Sequence, residues 1–130
     1  MTDLVSGIAQ SIAAVESGGN PNALSYRNNN PGNLRSWGSN PIINGYAHFQ
    51  SMTDGWNALY SQIQTNINRG LTLNEFFAGK PGVYPGYAPS GDANSPLAYA
   101  ARVGSDVGIP VDVPLNTLTV GSPPDPLKPS

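Results

Sequence analysis

A chain of 130 residues holds one core of ordinary size, and the absence of cysteine together with a single histidine excludes disulfides, thiol chemistry and a His-rich metal centre. Six basic residues against eight acidic ones give a net charge of −2, with no basic stripe to neutralise phosphates, so nucleic acid is not an expected partner. No apolar run reaches the ~20 residues of a membrane span, so no membrane insertion is expected, and neither is a metal or cofactor.

Leu4, Val5, Ile8, Ile12 and Val15 recur at helical spacing and predict a helix over residues 3–16, stopped by Gly18, Gly19 and Pro21. Residues 17–35 are rich in Gly, Pro and Asn and read as a long loop without regular structure, ordered by Leu24, Tyr26 and Leu34. Two short extended pieces at 41–43 and 46–49 flank Asn44-Gly45, a pair that supplies the positive φ angles of a tight hairpin turn. A helix capped by Thr53 or Asp54 then runs to residue 68, with Trp56, Leu59, Tyr60, Ile63 and Ile67 on its core face, and Gly70 ends it.

A shorter helix over 72–78 carries Leu73, Phe76 and Phe77, with Glu75 on a solvated face. Residues 79–94 form a second long loop. Ser95 caps the last helix, whose first position is Pro96 and whose packing side is Leu97, Ala100, Ala101, Val103, Gly104 and Val107. Prolines accumulate from residue 110 onward. The elements together predict an α+β, mostly helical fold with a small β-hairpin and two long loops. The expected organisation is one domain over 1–115 and a Pro-rich extended or disordered tail over 116–130.

Glu16 is the residue out of place. It closes the apolar side of the first helix behind Ile12 and Val15, at the end where the helix dipole disfavours negative charge. Apolar burial and the dipole both act to hold such a carboxyl in its protonated form. A protonated carboxyl near neutral pH is what protonating a glycosidic leaving oxygen requires. Asn-rich loops bearing aromatic residues on a weakly charged surface suit a neutral polar ligand such as a sugar.

The string Glu16-Ser-Gly-Gly-Asn-Pro-Asn-Ala-Leu-Ser25 resembles the first motif of lytic transglycosylases of the lysozyme-like superfamily. The following block, Arg27-Asn-Asn-Asn-Pro-Gly-Asn-Leu-Arg35, is similar to a signature of small phage and prophage proteins with that fold. Tyr46-Ala-His-Phe49, Gly55-Trp56-Asn-Ala-Leu59 and Tyr87-Ala-Pro89 extend the resemblance over residues 4–115. Gly32-Asn-Leu-Arg35 stands where the larger family has Gly-Leu-Met-Gln, and its Ala-Tyr-Asn-Ala-Gly string is missing, so contacts cannot be copied from those strings.

The resemblance implies a lysozyme-like domain whose two loops line a glycan cleft. It implies cleavage of the β-1,4 bond between N-acetylmuramic acid and N-acetylglucosamine in peptidoglycan, with Glu16 as acid and then base. Attack by the sugar's own 6-hydroxyl makes the enzyme a lytic transglycosylase; attack by water makes it a muramidase-type hydrolase. A non-catalytic glycan-binding virion component is the third reading. Ser25 is expected to bond near the scissile linkage or to orient Glu16, against an ordinary local turn bond.

Asn30, Asn33, Arg35 and Gln50 are candidates for sugar amides, though Asn in such loops often stabilises turns. Tyr87, with Tyr84, is a candidate stacking platform, or packs the loop onto the core. Asp92 is the runner-up second carboxylate. His48 reads as a hydrogen-bonded or exposed ring, and Arg27 and Arg35, which bracket the Asn-rich loop, either meet peptide carboxylates of the cell wall or brace the loop's carbonyls. The N-terminal segment lacks a basic n-region and an unbroken apolar run, so synthesis in the cytoplasm without a signal peptide is expected. A holin, a virion or a secretion apparatus then becomes the expected partner in reaching the periplasm or cell wall.

Overall fold

Asp3 caps the first helix, α1 (Leu4–Ser17), its carboxylate accepting from the Ser6 N–H at 2.7 Å in this computed structural model, which describes residues 3–20, 22–87 and 95–118. Gly18 and Gly19, with φ of 58° and 79°, take the left-handed conformations that stop it. After it come α2 (Leu24–Arg27), β1 (Ile42–Ile43), β2 (Tyr46–Ala47), α3 (Met52–Asn68), α4 (Leu73–Ala78), α5 (Pro96–Val107) and a 3-10 turn at Leu115–Thr117. The fold is mostly helical with one small antiparallel hairpin. Among the described residues no helix is long and apolar enough to cross a membrane.

The described residues cluster into two compact units, one within residues 9–63 and the other made of the described residues up to 8 and from 64 on. In the 9–63 unit, Ala9, Ile12, Leu34, Ala47, Phe49, Leu59 and Ile63 are buried. The hairpin pairs Ile42 with Ala47 and Ile43 with Tyr46. Asn44 and Gly45 both have positive φ, 56° and 85°, which is the primed turn expected of that dipeptide. The loop over 17–35 is less irregular than its composition suggests, because α2 forms inside it; no side chain caps α2, and Asn28 closes it with an N–H to the Leu24 carbonyl.

The cap of α3 is Ser51, whose hydroxyl accepts from the Asp54 N–H at 3.1 Å, rather than Thr53 or Asp54. Both of those residues fall within the first turn, where the Asp54 charge suits the helix dipole. Leu59 and Ile63 are fully buried as expected, while Trp56 is only half-buried and its ring lies 5.9 Å from Tyr60.

In the other unit, α4 packs on α5. Thr72 and Glu75 form a reciprocal capping box, so Glu75 is a helix-start residue and not a free solvated one. Ser95 caps α5 through the Ala98 N–H at 3.0 Å, with Pro96 at the helix start. The buried side of α5 is Tyr99, Ala100, Val103 and Gly104, while Leu97 is 57% exposed and Ala101 is exposed. The expected face turns because Tyr99 stacks on Phe77, centroids 4.3 Å apart. Leu115 is buried and its N–H bonds to the Leu71 carbonyl at 2.9 Å. Residues 116–118, expected as the start of the tail, therefore continue an anchored 3-10 turn; the rest of the expected tail lies outside the described residues.

Candidate functional site

Glu16 is the penultimate residue of α1, half-buried, with no basic residue in its own last turn. The Asn33 side chain crosses seventeen positions of sequence to donate from Nδ2 to Glu16 Oε1 at 2.9 Å. Asn33 sits at φ 49°, a left-handed conformation that Asn tolerates better than most residues. Its Oδ1 is buried and has no hydrogen-bond partner among the described residues. An amide is a partner suited to both states of a carboxyl: Nδ2 donates to a carboxylate, and after a half-turn Oδ1 accepts from the acid O–H.

The three residues ahead of that turn sew the loop to the hairpin. Asn28 donates from Nδ2 to the Ile43 carbonyl at 3.0 Å and presents Oδ1 to His48 Nδ1 at 3.2 Å. Because Nδ2 faces a carbonyl, the amide orientation is set, and His48 Nδ1 carries the proton it shares with Oδ1. Asn29 donates to the Phe49 carbonyl at 3.0 Å. Asn30, fully buried, donates to the Leu34 and Ala47 carbonyls and accepts from the Leu34 N–H, each at 2.9 Å.

Asn30 is thus not a sugar contact. Its amide is consumed inside the protein, and it does the work of a missing strand partner. Replacing it with Ala strips the Leu34 N–H of its acceptor in a buried place. The expected loss is about 3 kcal/mol of folding stability, read from urea melts. A ligand-binding role would instead leave the melt unchanged and alter affinity alone.

Ser25 is buried in α2, and its carbonyl accepts from the Asn30 N–H at 2.7 Å, so the residue at the motif spacing helps to set the loop. Arg35 is exposed, with its guanidinium 5.2 Å above the Tyr46 ring. Gln50 is exposed directly before the Ser51 cap. Arg27 donates from Nε to the Asn22 carbonyl at 3.2 Å, the geometry of the second of its two expected roles.

Tyr87 belongs to the other unit. Its ring lies among Phe76 (5.5 Å), Phe77 (5.8 Å) and Tyr99 (6.5 Å), and its N–H bonds to the Phe76 carbonyl at 2.8 Å. That is loop-to-core packing, the second of its two expected roles. Tyr84 is packed similarly, at 6.5 Å from Phe76 and beneath the Arg69 guanidinium. Asp92 lies outside the described residues.

Of the expected site residues, then, Glu16 and Asn33 meet directly, and Ser25 and Asn30 buttress the loop that carries Asn33. Asn28 and Asn29 were legible only as loop residues, and nothing in the sequence marks which amide faces inward. Trp37 is likewise unmarked by any motif, and it lines an open cavity of about 340 Å³ in the same unit. An aromatic residue inside an Asn- and Gly-rich loop was the available signal. No protein-family model, no curated protein and no solved structure matches the chain at a significant level.

Proposed function

We propose that this protein cleaves the β-1,4 bond between N-acetylmuramic acid and N-acetylglucosamine in bacterial peptidoglycan, as a lytic transglycosylase with a lysozyme-like domain. The observation that carries the reading is the 2.9 Å bond between Glu16 and Asn33. It joins the two segments, Glu16 to Ser25 and Arg27 to Arg35, on which the resemblance to that superfamily rests.

The chemistry follows from one carboxyl used twice. Glu16 gives its proton to the glycosidic oxygen as the bond to C1 of the muramic acid breaks, leaving positive charge on that ring. The carboxylate then takes the proton of the ring's own 6-hydroxyl as its oxygen bonds to C1. The products are a free 4-hydroxyl and a 1,6-anhydro end, no water is consumed, and Glu16 is protonated again. Asn33 suits this cycle because its amide can accept from the acid and donate to the base. On this reading the protein meets its substrate outside the cytoplasmic membrane, after release or carriage in a virion.

Mass spectrometry of peptidoglycan digested by the purified protein tests the proposal. Anhydro-muropeptides are the expected product. Reducing muramic acid ends would instead make the protein a water-using hydrolase, and intact sacculi under all conditions would remove the catalytic reading altogether.

A further inference from the structure

The cavity in the 9–63 unit has one polar wall and one aromatic side. Asp54, Asn57 and Ser61 lie at i, i+3 and i+7 of α3 and so share a helix face. All three are exposed, and no side-chain bond within the described residues uses the Asp54 carboxylate, the Asn57 amide or the Ser61 hydroxyl. Trp37, half-buried, and Asn40 line the cavity from the loop. Asn40 donates both its backbone N–H and its Nδ2 to the Trp37 carbonyl, at 3.1 and 2.8 Å, which closes a turn over residues 37–40. Phe49 and Ala58, both almost fully buried, supply the apolar part of the lining.

The lining selects a chemical class. It contains no Lys, Arg or His, so it offers nothing to a phosphate or carboxylate ligand. A single carboxylate does not make a metal site. What remains is a flat indole, two amides, a hydroxyl and one carboxylate acceptor around about 340 Å³. That set fits a neutral ring with many hydroxyls: the ring's C–H face lies on the indole, and its hydroxyls reach Asp54 and Ser61. An amide such as Asn57 can donate to an acetamido carbonyl or accept from its N–H, while the Phe49 and Ala58 lining receives the methyl group.

We propose that this cavity binds one N-acetylated hexosamine unit of a glycan strand, a site separate from the Glu16–Asn33 pair. The choice of glycan rests on the reading of Glu16 as a glycan-cleaving acid, and the experiment keeps the two apart. The Glu16→Gln protein is titrated with the β-1,4 tetramer of N-acetylglucosamine, followed by two-dimensional NMR of the indole and side-chain amide N–H groups. The Trp37 indole and the Asn57 and Asn40 amides are expected to shift together and saturably. Trp37→Ala and Asn57→Ala are each expected to weaken binding about tenfold or more, with Trp37→Phe restoring part of it and thermal melts unchanged. The glucose tetramer, lacking acetamido groups, is expected to bind more weakly by a similar factor.

Shifts confined to residues around Glu16 and Asn33 would overturn the cavity proposal, and equal binding of the two tetramers would overturn its N-acetyl specificity. Binding at Trp37 by a wild-type protein that leaves sacculi intact would uphold the cavity site and sink the cleavage reading. Cleavage of sacculi without tetramer binding at Trp37 would do the reverse.

Discussion

Glu16→Gln is expected to reduce muropeptide release from purified sacculi by about a thousandfold or more, without loss of folding. The substitution removes the only proton the proposed reaction has to give and the only base that takes it back. In free-energy terms a thousandfold is about 4 kcal/mol of barrier, within reach of one general acid–base group. Gln is the informative replacement because its carbonyl oxygen can still accept from Asn33 Nδ2, the bond seen at 2.9 Å in the wild type. Gln is neutral, as Glu16 is when it holds the proton that the proposed reaction needs, so an uncharged group of the same shape stays at the end of α1. The melting temperature is expected to be unchanged or slightly raised, by up to about 1 kcal/mol of stability. Lost activity with an equal or higher melting temperature is the signature of a catalytic carboxyl. Activity retained would end the assignment, and activity lost together with a collapsed melt would mark Glu16 as structural.

Gly55→Ala is expected to be the most damaging single-methyl change in the 9–63 unit. At an ordinary helix position alanine stabilises relative to glycine by about 1 kcal/mol. Here a Cβ at residue 55 would overlap the backbone carbonyl of Asn29 and lie 2.8 Å from Cδ of Pro31. Neither neighbour has freedom to retreat. Asn29 is held at φ 52°, with its amide on the Phe49 carbonyl and its N–H on the Tyr26 carbonyl. Pro31 is a buried ring. Overpacking of this kind costs about 3 kcal/mol or more, a large part of the 5–15 typical of a domain, and lowers the melting temperature by roughly 10 °C.

Gly38→Ala is the control for backbone strain alone, since residue 38 has φ 55° and open space around the added carbon. It is expected to cost about 1–2 kcal/mol. A Gly55→Ala protein as stable as wild type, read by urea or thermal melts, would mean that the helix and the Asn-rich loop do not meet as closely as described.

The features legible in the sequence are those governed by neighbours within a few positions. Asn44-Gly45 turns the hairpin because both residues accept positive φ, and Ser95-Pro96 opens α5 because a cap and a fixed φ act within one turn. Glu75 is within the same reach, because Thr72 and Glu75 have the spacing of a capping box. Tyr99 is not, because its burial depends on stacking against Phe77, more than twenty residues away.

For the candidate site the division is sharper. The chain by itself singled out Glu16, a carboxyl at the wrong end of an apolar helix, and set an Asn-rich block eleven residues beyond it. Only the tertiary structure assigned the amides. Asn28, Asn29 and Asn30 turn to hairpin carbonyls, while Asn33, released by its left-handed backbone, turns to Glu16. The physical reason is that an amide side chain donates and accepts equally well, so its role is set by which groups the fold brings within 3 Å and not by its own chemistry.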